Sequence, residues 1–441
     1  MTVRLPHPLI LLLGAVLVAA SFTWILPAGE YDRRDDAATG RRVVVAGTYH
    51  EVAPAPVGPF AAFVALPRGF EEGADVIAVI LFVGGAWVVI DRLGTLARLV
   101  GGLVRLFHGR GLIAIPIVSL FFGVMGALEN MQEEIIPLIP VLLVLGRGLG
   151  VNAVVVVAMS AGAAMIGSAF GPTNPFQAGI AMKLAELAPV SGIGVRAATF
   201  VGGLALWVIW TLRYAVRHRT PVAASAKDGA EAPSGRDGLL FLLLLSPMAA
   251  YVYGASVSDW GFNELSAGFF VAGMAVGLLG GLGLGGTTVA YLEGMQSLLP
   301  AAVLVGFART ISLVLADGRV IDTILQGLAS PLAGASTMVA ALLMIPVHMI
   351  IHVAVPSVSG QAVLTMPVMV PLSDLLGLSR QVTVLAYQMG AGLTDLLTPT
   401  NGALMAVLLA AKVPYQVWLR FALVGTGLAV LVGIVGMLAF L

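Results

Sequence analysis

The chain has 441 residues, of which 59% are hydrophobic and 10% charged, and its formal net charge is zero. Soluble domains carry roughly 25% charged residues, so the composition excludes a water-soluble fold. The basic residues are scattered and balanced by acids, which predicts no nucleic-acid partner. The absence of cysteine excludes disulfides, thiolate nucleophiles and cysteine-ligated metals.

Apolar segments near the ~20-residue length of a membrane-spanning helix recur along the chain, and they predict an all-α polytopic protein of the bacterial inner membrane, not a β-barrel. The first stretch, Leu9 to Leu26, lacks a convincing signal-peptide cleavage site and predicts a retained helix. The segment 56–70 is too short to span and predicts an interfacial helix on the outer side. Further spans are predicted at 74–91, 112–128, 134–146, 152–187, 195–216, 238–255, 265–285, 295–316, 333–355, 361–376, 381–412 and 416–440.

Arginine and lysine in short loops indicate orientation, because such loops stay cytoplasmic. The loops 91–110 and 213–237 are arginine-rich and predicted cytoplasmic, whereas 28–73 and 317–332 mix acids with bases and are predicted outside. The N-terminus is then cytoplasmic and the C-terminus outside. These assignments agree only if 112–146 forms a re-entrant hairpin from the cytoplasmic side, with a polar tip that lines protein or a water-filled cavity.

An internal repeat is indicated by landmarks that recur in one order. Gly171-Pro172-Thr173-Asn174 recurs as Thr398-Pro399-Thr400-Asn401, and Pro140-Val141 recurs at the same offset as Pro367-Val368. We predict two copies of opposite orientation, a pattern common in transporters. The predicted divisions are 1–73 (first helix and external loop), 74–217 (first repeat, with hairpin 112–146 and broken helix 152–187), 218–237 (cytoplasmic linker), 238–290 (connecting scaffold helices) and 291–441 (second repeat, with hairpin 333–376 and broken helix 381–412).

The two broken helices are predicted from glycine, proline and polar residues in the middle of apolar spans, at 162–175 and 390–401. A break exposes N–H groups that attract a carboxylate and C=O groups that coordinate a cation. The alternative is that these residues merely kink packed helices. The predicted ion-coupling residues are Ser168, Gly171, Thr394, Asp395 and Thr398. A sodium ion is expected at Ser168, Asn174, Thr394, Asp395 and Asn401.

Substrate contacts are predicted at both hairpin tips and both breaks. The residues are Glu129, Asn130, Glu133, Glu134, Thr173, Asn174, Ser357, Ser359, Gln361, Thr400 and Asn401. Acids at membrane depth are expensive and usually functional, although the tip glutamates could instead form a solvated turn. Asp395 would bind a coupling cation, a proton or a substrate amine. Arg309 would anchor a carboxylate or pair with an acid at the scaffold interface.

His348 and His352 are four residues apart without an acid motif such as His-Glu-x-x-His, so helix packing or a proton role is favoured over metal binding. Ser359 with His352 is the one pair that suggests an intramembrane protease. The Gly-x-Ser-Gly signature is absent, and we predict no enzymatic activity.

Several stretches resemble the YfcC-type, C4-dicarboxylate anaerobic carrier (DcuC-like) family of the ion transporter superfamily. They are Thr23 to Tyr31, Glu133-Glu134, Pro356 to Ala362, Ser379-Arg380-Gln381 and Pro399 to Leu408. The resemblance implies a homodimer in which each subunit has a scaffold domain and a mobile transport domain with two opposed hairpins and two broken helices, working by an elevator movement. It does not decide between amino acids and dicarboxylates, and Asp395 stands where the family usually has an amide.

We therefore predict a secondary transporter of a small carboxylate-bearing solute, either an amino acid or a C4-dicarboxylate. It would be coupled to Na⁺ or H⁺, or would act as an exchanger, and we expect no cofactor beyond the coupling ion. Several acids against one mid-membrane arginine favour a substrate with an amino group. Two alternatives stay open: an arginine/ornithine-type antiporter without ion coupling, and a channel, which would need a continuous polar path.

Overall fold

The computed structural model describes residues 8–37, 41–106, 111–188, 191–220, 233–258 and 260–441. Most of these residues are helical, because a helix satisfies its own backbone hydrogen bonds where no water is available. Within the described ranges, nine helical segments are long and apolar enough to cross a membrane. The prediction of a helical, multi-pass membrane protein is confirmed.

The N-terminal part combines one long helix with short strands. Helix α1 spans Pro8–Ile25, strands β1 to β4 span Gly29–Glu30, Arg33–Asp36, Arg41–Val44 and His50–Glu51, and helix α2 spans Pro59–Glu72. Strand β1 pairs with β4 and β2 with β3, both antiparallel. Helix α2 lies where a short helix was predicted. The strands were not predicted, because segments of two to four residues are too short to show an alternating pattern.

The next part contains a long helix, a hairpin, an interrupted helix and a closing helix. The elements are α3 (Ala74–Arg92), α4 (Thr95–Leu106), α5 (Ala114–Glu129), a 3-10 turn (Glu133–Leu138), α6 (Ile139–Leu149), α7 (Ala153–Val157), a π turn (Ala158–Gly162), α8 (Ala163–Phe170), a second π turn (Pro175–Gly179), α9 (Ile180–Leu184) and α10 (Ile193–Arg217). Helix α4 occupies a segment that was predicted as a loop.

After two further helices, the remaining part again contains a long helix, a hairpin, an interrupted helix and a closing helix. The elements are α11 (Gly235–Val257), α12 (Phe262–Gly280), α13 (Gly283–Asp317), α14 (Ile321–Ala329), a 3-10 turn (Ser330–Gly334), α15 (Thr337–Ala354), α16 (Val358–Leu375), α17 (Arg380–Thr394), α18 (Gly402–Ala410) and α19 (Tyr415–Leu438). The duplication and the opposite orientation of its two copies both stay predictions.

Helix α13 differs most from the sequence-based boundaries. It has 35 residues and begins at Gly283, whereas the span was predicted to begin at 295. At 1.5 Å per residue it is about 52 Å long, well beyond the ~30 Å of a hydrocarbon core. The predicted boundary was wrong because the polar and small residues from Gly285 to Glu293 lower the hydropathy without breaking the helix.

Close helix contacts hold the polar elements in the protein interior. A Cβ atom on Gly167 of α8 would overlap the carbonyl oxygen of Gly123 in α5, and one on Gly294 of α13 would lie 2.6 Å from the carbonyl oxygen of Gly84 in α3. Small residues at such positions let helix backbones approach closely in membrane proteins. Helix α8 is buried over its whole length, and so is α17 from Gln381 to Thr394.

Candidate functional site

Both predicted helix breaks are present, and an asparagine caps the helical segment after each one. Helix α8 ends at Phe170 and a helical turn resumes at Pro175, while α17 ends at Thr394 and α18 begins at Gly402. The Asn174 Oδ1 accepts hydrogen bonds from the backbone N–H groups of Phe176 and Gln177, both at 2.9 Å. The Asn401 Oδ1 accepts one from Leu404 N at 2.8 Å. Each asparagine thus satisfies N–H groups that have no partner within their own helix.

The tip of the first hairpin reaches both breaks. Asn130 ends α5 with a left-handed backbone (φ 58°), a conformation that asparagine tolerates better than most residues. Its Oδ1 accepts a hydrogen bond from the Ser168 hydroxyl in the first break. Two residues later, Gln132 Nε2 donates to Asp395 Oδ2 in the second break at 3.0 Å.

The first cluster is neutral. Asn174 Nδ2 lies 3.1 Å from the carbonyl oxygen of Gly126 and 3.4 Å from both Asn130 Oδ1 and Ser168 Oγ. The Ser168 hydroxyl is also 3.2 Å from Gln177 Oε1. We call these residues the serine cluster. It contains only amide, hydroxyl and carbonyl groups, so it binds by hydrogen bonding and carries no charge.

The second cluster is built around a buried carboxyl group. Asp395 Oδ1 accepts a hydrogen bond from Asn401 Nδ2 and lies 2.8 Å from His352 Nε2, while Oδ2 accepts from Gln132 Nε2. The side chains of Asp395 and His352 are 4% and 0% exposed. We call Asp395, Asn401, Gln132 and His352 the aspartate cluster. Two amide N–H donors and the bond shared with the His352 ring offset the cost of burying this carboxyl group.

A second layer lies behind the aspartate cluster, away from the cavity described next. His352 Nδ1 is 2.7 Å from Gln361 Oε1, and Gln361 Nε2 donates to the carbonyl oxygen of His348 at 2.9 Å. His348 Nε2 is buried without a hydrogen-bond partner among the described residues. Gln361, which was predicted to contact substrate, is fully buried, bonds to His352 and is not among the residues that line the cavity.

A cavity of about 210 Å³ lies where the first hairpin tip, the second hairpin tip, the second break and α13 meet. Three carboxyl groups and one guanidinium are among its charged lining groups in the described chain. Tyr251 of α11 and Phe262 of α12 also line the cavity. The predicted site residues that line it are Asn130, Glu133, Glu134, Arg309, Ser357, Ser359, Asp395, Thr400 and Asn401.

Other predicted residues do not line the cavity. The Thr173 side chain is exposed, and Gly171 is a buried part of the first break. Thr394 Oγ1 donates to the carbonyl oxygen of Gly390 at 2.6 Å, and Thr398 Oγ1 is 2.7 Å from Thr400 Oγ1. The side chain of Glu129 lies outside the part of the chain that the structure describes.

The donor sets of both clusters do not fit the expected sodium ion in this conformation. Sodium needs several oxygen ligands around one position, as hard cations do. In the serine cluster, the oxygens of Gly126, Asn130 and Ser168 instead converge on the amide nitrogen of Asn174. In the aspartate cluster, all three side chains that bond to Asp395 present nitrogen atoms. In this conformation neither cluster presents converging oxygen ligands, and sodium coordination at Ser168, Asn174, Thr394, Asp395 and Asn401 stays a prediction.

Several cavity and cluster residues were missed at the sequence level. Gln132 sits inside the predicted polar tip, so its position was the available signal. Gln177, Tyr251, Phe262 and Ser312 carry no signal, because each is an ordinary residue in an apolar or amphipathic segment. The partner of His352 also could not be predicted, since Asp395 lies 43 residues later in the chain.

A buried arginine next to the first break was also missed. Arg196 of α10 is 1% exposed and donates to the Oε1 atoms of Gln381 and Gln388. Gln388 Nε2 is in turn 3.3 Å from the carbonyl oxygens of Ala169 and Gly171. The guanidinium thus holds a glutamine against the carboxyl end of α8. This places a positive charge near the negative end of a helix dipole, where cations are stabilised.

Comparison with known proteins identifies relatives over the full length. The chain is 30% identical over 466 residues to a protein of Escherichia coli strain K12 named "Putative basic amino acid antiporter YfcC", covering 94% of this chain and 92% of the relative. It is 26% identical over 489 residues to an uncharacterized protein of Haemophilus influenzae, covering 98% and 96%.

Two solved structures are similar to this chain at lower sequence identity. The YdaH transporter of Alcanivorax borkumensis has a TM-score of 0.44 and 18% identity, covering 97% of this chain and 98% of that one. MtrF of Neisseria gonorrhoeae, described as illuminating a class of antimetabolite efflux pumps, has a TM-score of 0.41 and 17% identity, covering 98% and 94%.

The family model described as C4-dicarboxylate anaerobic carrier matches residues 5–441. This match and the YfcC homologue confirm the resemblance noted in the sequence. The clusters and the cavity are therefore features of a membrane transporter protein. The chain belongs to the C4-dicarboxylate anaerobic carrier family.

Proposed function

We propose that this protein is a secondary transporter of amino acids, and that amino acids with a basic side chain are its preferred substrates. The observation that carries the proposal is the set of charged groups in the cavity. Among its described lining residues, Glu133, Glu134 and Asp395 face one guanidinium, that of Arg309. A basic amino acid carries two cationic groups and one carboxylate, which is the complementary pattern.

Arg309 would bind the substrate carboxylate. Its side chain lines the cavity from the middle of α13, and it makes no hydrogen bond or ion pair within the described residues beyond a through-space attraction to Glu133. A guanidinium presents a planar fork of N–H groups that matches a carboxylate with two parallel hydrogen bonds. This side chain therefore has donor capacity that a ligand can use.

The carboxyl groups would bind the cationic groups of the substrate. Glu133 and Glu134 come from the first hairpin tip and Asp395 from the second break, so they approach the cavity from two elements. The hydroxyls of Ser357 and Ser359 line the same cavity from the second tip. A volume of about 210 Å³ suits a small metabolite, since pockets for drug-sized ligands measure roughly 300–1,000 Å³.

The relative from Escherichia coli supports this substrate class, because its name describes a basic amino acid antiporter. The family description favours C4-dicarboxylates as a second candidate. A dicarboxylate would bring two negative charges into a cavity with three carboxyl groups, which like-charge repulsion disfavours. Amino acids therefore rank first.

Transport would follow an elevator movement within a homodimer in the inner membrane. The two hairpins and two broken helices would form the moving part, and the helices α3 and α11 to α13 would belong to the scaffold. With the N-terminus in the cytoplasm and the C-terminus outside, the hairpin tips would approach the cavity from opposite sides. The chemistry would be movement of the solute driven by exchange or by a coupling ion, without an enzymatic step.

Counterflow in proteoliposomes tests the proposal. Vesicles loaded with unlabelled L-arginine should accumulate radiolabelled L-arginine above its external concentration, and uptake should saturate. Excess L-ornithine should compete, whereas succinate should not. Competition by succinate alone would replace the amino acid with a dicarboxylate, and unsaturable flux without counterflow would favour a channel. An Arg92→Gln variant is the matched control for substitution of Arg309, because Arg92 pairs with Glu293 at an exposed position away from the cavity.

A further inference from the structure

The His352 ring lies between an amide and a carboxyl group, and its two nitrogens have different partners. Nδ1 is 2.7 Å from Gln361 Oε1, and Nε2 is 2.8 Å from Asp395 Oδ1. Both partners are oxygen atoms and the ring is fully buried. The protonation of the ring therefore follows from which of these oxygens can act only as an acceptor.

The orientation of Gln361 is determined by its other contact. Its amide nitrogen is 2.9 Å from the carbonyl oxygen of His348, and a carbonyl oxygen can only accept a hydrogen bond. Turning the amide over would place two oxygens against each other at that distance. Gln361 Oε1 is therefore the atom that faces His352, and His352 Nδ1 must carry a hydrogen to bond with it.

The orientation of Asn401 is determined in the same way. Its Oδ1 accepts from the backbone N–H of Leu404, so its Nδ2 is the group that donates to Asp395 Oδ1. Gln132 Nε2 donates to the other carboxyl oxygen. The Asp395 carboxyl group is thus surrounded by donors, and His352 Nε2 is the position that can exchange a proton with it.

These constraints leave two ways to place the hydrogen between His352 Nε2 and Asp395 Oδ1. Either the ring is an imidazolium that donates to a carboxylate, or a protonated Asp395 donates to a neutral ring. Both arrangements hold one proton more than a neutral histidine beside a carboxylate. Without that proton, the Nε2 lone pair would face the negative Oδ1, which is repulsive.

From this geometry we infer that His352 and Asp395 jointly bind one proton, and that this proton and a cationic group of the substrate occupy the Asp395 carboxylate in turn. The inference rests on the proposed function and names its coupling ion. Asp395 lines the cavity, whereas His352 lies behind it and is not among the lining residues. Substrate therefore reaches the pair only through Asp395.

Because the proton and the substrate cation cannot occupy the Asp395 carboxylate together, the protein would exchange one for the other. When the pair releases its proton to water in the cavity, His352 keeps the Nδ1–H bond to Gln361 and Asp395 is left with one uncompensated negative charge. An ammonium or guanidinium group of the substrate then supplies the missing positive charge. A ligand that binds only one state shifts the equilibrium towards that state. Binding of the substrate would therefore favour release of the proton, and binding of the proton would favour release of the substrate.

Other titratable and charged groups surround the pair. Glu133 and Glu134 face it from the first hairpin tip, Arg309 from α13 and His348 from α15. Tyr387 of α17 packs edge-on against the His348 ring, and Asp75 of α3 acts on Glu133 through space. A released proton is therefore assigned to His352 and Asp395 by comparing the wild-type protein with a variant of His352.

Calorimetry of L-arginine binding to the purified full-length protein tests the inference, with buffers that differ in ionisation enthalpy. Near neutral pH the wild-type protein should release about one proton for each L-arginine bound. His352→Gln retains an amide donor for Asp395 but cannot hold the shared proton, so release should fall close to zero while L-arginine still binds. His50→Gln, which changes an exposed external histidine, should behave like the wild-type protein. Replacing Na⁺ with choline should change none of these values.

The outcomes separate the inference from the proposed function. Absence of L-arginine binding in the wild-type protein would reject the substrate class. Binding without proton release, or equal release from the wild-type and His352→Gln proteins, would reject the proton pair while leaving the transporter intact. If His352→Gln unfolds, nitrogen NMR of isotope-labelled histidine in the wild-type protein provides the second measurement. The Nε2 resonance of one buried histidine should shift when L-arginine is added, because the shared proton leaves its hydrogen bond with Asp395, and an unchanged spectrum would overturn the inference.

Discussion

Asn174 and Asn401 occupy equivalent places in the two helix breaks, and each directs its amide nitrogen to the side chain six residues earlier. That residue is Ser168 in the first break and Asp395 in the second. Each asparagine also caps the following helical segment with its amide oxygen. The same backbone frame therefore carries a neutral hydroxyl in one copy and an acid in the other, and the acid lines the cavity.

Replacing either asparagine should abolish transport. Asn401→Ala removes both the cap of α18 and a donor to Asp395, and Asn174→Ala removes the matching interactions of the serine cluster. Loss of a cap costs about 1 kcal/mol, so both variants should fold. Proteoliposome uptake of L-arginine is the measurement. Asn152→Ala is the control, because Asn152 caps α7 away from the breaks and should lose stability without losing uptake. Normal uptake by the two site variants would remove the asparagines from the mechanism.

Arg309→Gln should weaken binding of L-arginine by about 10- to 150-fold, since hydrogen bonds to a charged group contribute about 1.5–3 kcal/mol. Agmatine has the same guanidinium but no carboxylate, so its affinity should change little in this variant. Calorimetric titration of both ligands against the wild-type and variant proteins measures the difference. Equal losses for the two ligands would show that Arg309 does not bind the carboxylate.

Cysteine labelling should detect alternating access at the second hairpin tip. The chain contains no cysteine, so Ser359→Cys introduces a single reactive thiol in the cavity lining. Its rate of labelling by a membrane-impermeant maleimide should depend on the side of addition and should change when L-arginine is present. Ala46→Cys, in the predicted external loop, is the control and should label from the outer side at an unchanged rate. A labelling rate at Ser359→Cys that is the same with and without L-arginine would contradict an elevator movement.

Gly167→Ala should destabilise the protein by about 1–3 kcal/mol, the usual cost of overpacking. The added Cβ would overlap the backbone carbonyl of Gly123, and neither α5 nor α8 can move without opening the contact between them. Thermal unfolding in detergent measures the effect. Gly427→Ala in α19 is the control, because its Cβ would meet no atom within 4 Å and alanine has the higher helix propensity. Unchanged stability of Gly167→Ala would mean that this helix pair is looser than described.

Acidification should remove the stabilising effect of an ion pair at the start of α11. The Arg98 guanidinium beside Asp237 holds the pKa of that carboxyl well below its usual range. A carboxyl group with a lowered folded-state pKa contributes stability above its unfolded value near 3.9, and this contribution is lost as pH falls. Arg98→Gln should therefore lower the unfolding temperature at neutral pH. The difference from the wild-type protein should shrink towards about pH 3, and a constant difference would contradict the pairing.

The hydrophobic pattern was enough to predict most helices and both helix breaks, because a membrane span needs a long apolar run and proline or glycine interrupts it. It was also enough to predict that the first hairpin tip would be polar and protein-lined. The hydrophobic pattern did not predict strands β1 to β4, the helix in the 91–110 loop or the true start of α13. Short strands and amphipathic surface helices are stabilised by contacts with other segments, which a local pattern does not contain.

The composition and the motifs by themselves determined that this is a polytopic helical protein with two polar interruptions, since both properties depend on which residues are neighbours along the chain. Only the tertiary structure decided what those interruptions do. It placed Asp395 against His352 and Gln132, from two different hairpins, and brought Arg309 to the same cavity as three carboxyl groups. The physical reason is that hydrogen bonding and charge compensation act over a few ångströms in space, at any separation in sequence.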